Sequence, residues 1–196
     1  SAASDVYKRQ PDVRVLESCA VPEEFDACRS AKKKTYRYSV YFSRRENPLL
    51  ERYAVRRDRA PEMARVRSCA KLLEGEHDFA AFSSTGSSVK TTVRTIYSVG
   101  WILGLMPFSG EDFFLSIDVT GSGFLYNMVR IMAGAILDVG AGVLSVAAVE
   151  EALHTGNREL LGKTMPAKGL TLLGVDYGFH IFGQKPASGD DRLPKI

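Results

Sequence analysis

The stretch Phe124–Leu137, FLYNMVRIMAGAIL, constrains the fold more than any other part of the sequence. Asn127 and Arg130 are its only strongly polar residues. A helix that is apolar on nearly all sides has to be buried, and this stretch is shorter than the roughly 18 apolar residues that a membrane span needs. The sequence therefore predicts a core helix over Phe124–Val139 that packs on one face of a sheet.

Arg130 conflicts with this burial, because arginine is rarely buried without a partner. An unpaired buried charge would cost on the order of 3–5 kcal/mol. The nearest carboxylates along the chain are Asp118, in an adjoining predicted strand, and Asp138, at the predicted helix end, and neither is an obvious partner. Either Arg130 extends to the surface, or it belongs to a functional site whose carboxylate lies elsewhere. We favour the functional interpretation.

The run Thr35–Phe42, TYRYSVYF, predicts a strand, because aromatic and β-branched residues alternate with polar ones. The alternation places Tyr36, Tyr38, Val40 and Phe42 on one face. The other predicted elements are strands at Val13–Val21, Thr91–Leu103, Asp112–Thr120 and Gly169–Tyr177, and helices at Pro61–Leu73 and from Ser145 to about His154. This order predicts an α+β fold with a mostly antiparallel sheet and the helices on one face.

The basic residues are concentrated in one half of a chain whose net charge is only +3. Lys32, Lys33 and Lys34 are consecutive, and eight arginines follow between Arg44 and Arg67. Such a cluster suits a phosphate backbone, but a solvated surface explains it equally well. Tyr36 follows the lysines at the start of its strand, where its aromatic ring would either hold an unstacked RNA base or pack into the core.

The first ten residues, Ser1–Gln10, do not read as native protein. One codon choice for SAASDVYKRQ resembles the transposase adapter used in preparing sequencing libraries. We therefore expect the natural sequence to begin near Pro11.

The cysteines, Cys19, Cys28 and Cys69, form no C-x-x-C pair and are separated from the three histidines. A zinc site is therefore not expected. Three sparse cysteines indicate reduced thiols in a cytosolic protein, each expected to be a small buried residue.

The chain resembles the tRNA pseudouridine synthase A family in five segments that follow the family's order. They are FDACRSAKKKTYRY at Phe25–Tyr38, GEHDFAAF at Gly75–Phe82, KTTVRTI at Lys90–Ile96, GSGFLYNMVRIMAGAILDVG at Gly121–Gly140, and AKGLTLLGVDY at Ala167–Tyr177. The resemblance implies that residues 11–178 form the C-terminal portion of a pseudouridine synthase catalytic domain, a ferredoxin-like (RRM-like) half. Residues 179–196 would be a tail.

The same resemblance implies a function. The family isomerises uridine to pseudouridine at positions 38–40 of the tRNA anticodon stem-loop. It acts as a cytoplasmic homodimer without cofactor, metal or membrane. An aspartate in an R-T-D-x-G-V-H motif attacks the flipped-out nucleotide. Arg130 matches the arginine that pairs with this aspartate, and Tyr36 matches the tyrosine that lies against the target base. Possible RNA contacts, without individual roles, are Lys32, Lys33, Lys34, Arg29 and Arg94.

The chain departs from the family pattern in two places. No R-T-D-x-G-V-H motif occurs in it, so we expect an N-terminally truncated copy that is inactive alone. Cys28 stands where the family often has arginine, with the basic residue at Arg29 instead. Two other interpretations remain open: a non-catalytic RNA-binding module with a ferredoxin-like sheet, and an interaction protein whose apolar helix forms a dimer face.

Overall fold

The computed structural model describes residues 13, 15–84, 89–105, 112–179, 181 and 182. These residues belong to two compact units, one made from the ranges 1–31 and 177–196 and the other from Lys32–Asp176. The segment Ser1–Gln10, predicted to be non-native, lies outside the described residues, as does most of the predicted tail 179–196. The predicted domain limits therefore stay predictions.

The larger unit is built on one mixed sheet of six strands. The strands are β1 (Lys33–Phe42), β2 (Val55–Arg57), β3 (Gly75–Asp78), β4 (Val93–Leu105), β5 (Phe113–Gly121) and β6 (Leu170–Asp176). Their order is β2-β1-β5-β4-β3, and β6 also pairs with β1. Only the β1–β2 pair is parallel, and all others are antiparallel. The predicted α+β fold with a mostly antiparallel sheet is confirmed.

Three helices complete the larger unit: α1 (Met63–Leu73), α2 (Met128–Gly140) and α3 (Val146–Thr155). All three contribute buried side chains to the same core cluster as Tyr38, Val40 and Phe42 of β1. Because these three residues alternate along the strand, they share one sheet face. The helices therefore pack on that face, which confirms the predicted arrangement with the helices on one face of the sheet.

Tyr41 points to the opposite face and forms a smaller cluster with Ala54, Leu50 and Phe114. Its hydroxyl donates to Glu51 Oε1 at 2.5 Å and accepts from the backbone N–H of Asn47 at 3.1 Å. These contacts hold the turn between β1 and β2 against that part of the opposite face.

The core helix begins later than predicted. α2 starts at Met128 and not at Phe124, because Asn127 adopts the left-handed conformation, with φ 63° and ψ 4°. Asparagine is one of the few residues other than glycine that enter this region at modest cost. The apolar residues on both sides of Asn127 give no sign of this backbone conformation, so the sequence pattern predicted one continuous helix.

The shorter helix α3 confirms its predicted ends. The Ser145 hydroxyl accepts a hydrogen bond from the backbone N–H of Ala148 at 3.1 Å. Gly156 ends the helix with φ 69°, a conformation that glycine adopts without strain. α1 begins at Met63, two residues after the predicted Pro61.

One predicted strand is absent and two strands were missed. Val13–Val21 forms no strand at its described residues, and Leu16 there is 90% exposed. β2 and β3 escaped prediction because their sequences, VRR and GEHD, are short and polar. Membership of a sheet depends on a neighbouring strand more than on local propensity.

The smaller unit is held by aromatic contacts between its two ranges. The Phe25 and Tyr177 rings lie 5.1 Å apart, and the Tyr177 hydroxyl donates to the Ala27 carbonyl at 3.0 Å. The Asp26 carboxylate accepts the backbone N–H groups of Arg29 and Cys28. These bonds lower the pKa of Asp26.

The cysteines correct one expectation. Cys69 is fully buried in α1, as predicted, but Cys19 and Cys28 are exposed. All three are free thiols. Cys19 and Cys28 lie outside the helices and strands, in a segment that adds no residue to the core cluster, so burial was wrongly predicted for them.

Candidate active site

Arg130 lies in the first turn of α2 and is half-buried. Its Nε donates to the Met165 backbone carbonyl at 2.6 Å, and its Nη1 donates to Asn127 Oδ1 at 2.7 Å. No described residue accepts from its Nη2, and none offers it a carboxylate within ion-pair distance. The guanidinium is thus fixed by two neutral acceptors, and its charge is not balanced within the described part of the chain.

The two carboxylates nearest Arg130 in sequence are bound to other arginines. Asp118 accepts from Nε and Nη2 of Arg37, each at 2.7 Å. Asp138 accepts from Arg57 Nη2 at 2.6 Å, and the Asp138 side chain is only 17% exposed. Neither carboxylate is therefore available to neutralise Arg130.

Tyr38 connects Arg130 to the sheet. It is fully buried, and its hydroxyl donates to the Pro166 carbonyl at 2.6 Å. Pro166 follows Met165, so the segment Met165–Pro166 accepts hydrogen bonds from both β1 and α2. Burial raises the pKa of Tyr38, and the nearby cations Arg130 and Arg57 oppose that rise in part.

Tyr36 lies on the same sheet face as Tyr38, because the two are separated by one residue on β1. It is half-buried, and its ring meets that of Phe124 edge to face at a centroid distance of 5.2 Å. Phe124 lies four residues before the start of α2. Tyr36 therefore contacts the segment that leads to the Arg130 helix, and Tyr38 and Arg130 both donate to the Met165–Pro166 segment.

The predicted RNA contacts are spread along the chain. Lys32 and Lys33 are exposed and Lys34 is half-buried, and Lys33 forms an ion pair with Asp176 at 3.2 Å. Arg94 is half-buried, and its Nη1 donates to the carbonyls of Thr91 and Val93. Arg29 is exposed and belongs to the smaller unit.

Sequence reasoning missed the groups that hold Arg130. Asn127 donates through Nδ2 to the Ser84 hydroxyl at 3.0 Å while its Oδ1 faces Arg130. The one available signal was that Asn127 is the only other strongly polar residue in the apolar stretch. Met165 gave no signal, because it contributes a backbone carbonyl from 35 residues away.

Comparison with known proteins identifies the family of this chain. A family model described as tRNA pseudouridine synthase matches residues 69–178, which is more than half of the chain and includes Arg130 and Met165. The chain belongs to the tRNA pseudouridine synthase family. The resemblance seen in the sequence motifs is thereby confirmed.

Curated relatives that match the chain include three named tRNA pseudouridine synthase A. The one from Ruminiclostridium cellulolyticum is 40% identical over 166 residues, that from Bacillus licheniformis 39% over 166 residues, and that from Geobacter sp. strain M21 41% over 167 residues. Each match covers 85% of this chain but only 65%, 64% and 65% of the respective relative. This member of the tRNA pseudouridine synthase family thus spans less than two thirds of these relatives' length.

Two further properties follow from the described residues of this family member. None of its described helices has the length and apolar character needed to cross a membrane. No group of three or more His, Cys, Asp or Glu side chains is placed to hold a metal ion in the part of the chain that the structure describes.

Proposed function

We propose that this chain forms part of an enzyme that isomerises uridine to pseudouridine at positions 38–40 of the tRNA anticodon stem-loop. Besides the family match, one observation carries the proposal. Arg130 is held by the neutral acceptors Asn127 and Met165 and has no carboxylate partner among the described residues. A half-buried cation that is oriented but unbalanced suits a site that receives a carboxylate.

In this proposal Arg130 pairs with the attacking aspartate and Tyr36 lies against the target base. The base leaves the RNA stack at a cost of roughly a few kcal/mol. The aspartate bonds to the sugar carbon C1′ as the bond from uracil N1 to C1′ breaks, and the uracil turns. Uracil C5 then bonds to C1′ and displaces the aspartate, which is restored as a carboxylate, while C5 loses its proton and N1 gains one. The reaction is an isomerisation, so it consumes no cofactor.

In this proposal the attacking aspartate lies outside these 196 residues, since no R-T-D-x-G-V-H motif occurs in them. The proposal therefore requires the carboxylate to come from polypeptide outside this sequence. The 196-residue chain alone should bind RNA without modifying it. The free thiols Cys19, Cys28 and Cys69 fit the proposed cytoplasmic location, and a homodimer is proposed on the family match alone.

The activity is tested with a hybrid enzyme. It joins residues 11–196 to the segment of the Ruminiclostridium cellulolyticum relative that carries the family's R-T-D motif. Tritium release from C5-labelled uridine in tRNA measures turnover. We expect release by the hybrid and none above background by the 196-residue chain. Replacing Arg130 with methionine should lower release by the hybrid roughly a hundredfold or more, whereas Arg65→Met, which removes an exposed arginine paired with Glu62, should not.

The alternative function, a non-catalytic RNA-binding module, is favoured by the absent motif. A hybrid that folds and binds tRNA but releases no tritium would support it. Under either function, binding of an anticodon stem-loop RNA by the chain should weaken between about 50 mM and about 200 mM salt, because basic residues displace counterions from phosphates. Replacing Lys32, Lys33 and Lys34 with glutamine should reduce that salt dependence.

A further inference from the structure

We propose that Asn127 is a positioning residue for Arg130: it orients the guanidinium and, because its amide is neutral, leaves the charge of Arg130 available to an incoming carboxylate. This inference rests on the proposed function, in which Arg130 receives the attacking aspartate. It assigns Asn127 a role that acts through Arg130 and not through contact with RNA.

The hydrogen-bond directions around Asn127 are fixed by chemistry. A guanidinium has five donors and no acceptor, so the atom that faces Arg130 Nη1 at 2.7 Å must be the amide oxygen. The amide nitrogen then faces the Ser84 hydroxyl, which accepts from it at 3.0 Å. Ser84 is itself fixed, since its backbone N–H donates to the Tyr126 carbonyl at 3.2 Å. The amide is therefore held at both ends.

The backbone at Asn127 is adapted to this contact. It is the only residue other than glycine with positive φ among those described. The left-handed conformation is strained for most side chains and least so for Asn and Asp. As the residue that precedes α2, Asn127 sits three positions before Arg130, and the two side chains meet at the start of the helix.

The neutral charge of Asn127 distinguishes a positioning role from simple packing. Aspartate has nearly the same shape and also tolerates this backbone conformation. At position 127 it would form an ion pair with Arg130 and neutralise it. The two carboxylates nearest to Arg130 in sequence, Asp118 and Asp138, are bound by Arg37 and Arg57. No carboxylate of the described residues thus competes for Arg130.

Acetate binding by the 196-residue chain tests the inference. The guanidinium signals of 15N-labelled protein are recorded by NMR during a sodium acetate titration, with sodium chloride at matched ionic strength as control. The Arg130 signal is assigned by its loss in Arg130→Lys. We expect acetate to shift this signal in the unmodified chain. Asn127→Asp should weaken acetate binding about tenfold or more, and Asn127→Gly, which keeps the backbone conformation, should let the guanidinium rotate more freely and weaken binding less.

The Asn127→Asp variant decides the outcome. If Asn127 had only a structural role, aspartate at this position would leave the affinity for acetate unchanged. Unchanged affinity in Asn127→Asp, or no acetate-dependent shift of Arg130 in the unmodified chain, overturns the inference. If Asn127→Asp does not fold, unchanged guanidinium rotation in Asn127→Gly overturns it instead. The tritium-release assay is separate. A hybrid that releases no tritium while the acetate results hold contradicts the proposed function and leaves Asn127 as the residue that orients an anion-binding arginine.

Discussion

Arg37 on β1 and Asp118 on β5 face each other across the strand pair and form an ion pair through two parallel hydrogen bonds of 2.7 Å. The pair lies on the sheet face opposite Tyr36 and Tyr38, because the side chains alternate along β1. Asp118 is therefore both occupied and on the wrong face to reach Arg130. Arg37 thus has a carboxylate partner within the sheet, whereas Arg130 has none among the residues that the structure describes.

The Arg37–Asp118 pair should stabilise the fold only modestly. The two side chains are 31% and 24% exposed, and partly exposed ion pairs contribute about 0.2–1 kcal/mol. The two-point geometry favours the upper end. A double-mutant cycle with Arg37→Ala and Asp118→Ala, read by urea unfolding, should give a coupling free energy near 1 kcal/mol that falls as salt is added. A coupling energy near zero would contradict the pairing.

Gly169 should tolerate no side chain. A Cβ there would lie 2.7 Å from Tyr38 Cζ and 2.9 Å from the Ser39 carbonyl oxygen. The Ser39 backbone cannot move aside without a large energetic cost, so Gly169→Ala should destabilise the fold by about 1–3 kcal/mol. Gly174→Ala is the matched control, since a Cβ at Gly174 meets nothing within 4 Å. Thermal unfolding that shows equal effects for the two variants would show that the Gly169–Tyr38 contact is wrong.

Tyr38 should make the fold sensitive to alkaline pH. Burial raises its pKa in the folded chain, whereas an unfolded tyrosine ionises near pH 10. Tyr38 therefore makes its full contribution to the free energy of unfolding below about pH 10. As the pH rises from there toward the folded pKa, this contribution is lost at up to about 1.4 kcal/mol per pH unit.

The comparison with Tyr38→Phe isolates this effect. The variant loses the hydrogen bond to Pro166 and should be less stable by about 1–2 kcal/mol at neutral pH. Urea unfolding at pH 8 and pH 11 should show a smaller alkaline loss for the variant than for the unmodified chain. Parallel losses would mean that Tyr38 is accessible to water.

Cys69 should be the one thiol of the three that reacts slowly with a disulfide reagent. It is fully buried, and burial raises its pKa to about 12, so little thiolate forms near neutral pH. Cys19 and Cys28 are exposed. A disulfide reagent at pH 8 should modify two thiols quickly and the third only after denaturant is added. In the Cys19→Ser, Cys28→Ser double variant the fast reaction should disappear, and rapid labelling that remains would place Cys69 at the surface.

Local signals predicted the parts of the fold that local physics determines. The alternation of β1 identified the residues that share one face, and Ser145 and Gly156 marked the ends of α3 because a cap acts within its own turn. β2 carried no such signal, since its three residues are ordered by the parallel pairing of Val55 with Val40. Val13–Val21 had the composition of a strand, but its described residues pair with no described strand.

The candidate site was likewise predictable only where a local sequence signal existed. The isolation of Arg130 in an apolar stretch indicated either a functional site with a partner for the guanidinium or a side chain that extends to the surface. The partners themselves were not predictable, because Met165 offers a backbone carbonyl, which no sequence pattern encodes. Asn127 was visible as a polar residue, but its role depends on a left-handed backbone that places its oxygen against Arg130.

The position of β1 between β5 and β6 has a consequence during synthesis. Arg37 is 81 residues ahead of its partner Asp118, and Tyr38 is 128 residues ahead of Pro166. β1 therefore leaves the ribosome long before β5 and β6 exist, and only the short strand β2, which pairs with Val40–Phe42, follows it soon. Until β5 and β6 are made, one hydrogen-bonding edge of β1, most of the other edge and its aromatic face are open to other nascent chains. Such distant pairing slows folding and exposes the chain to aggregation. The yield of folded protein should therefore depend on chaperones that shield this strand while the rest of the chain is made.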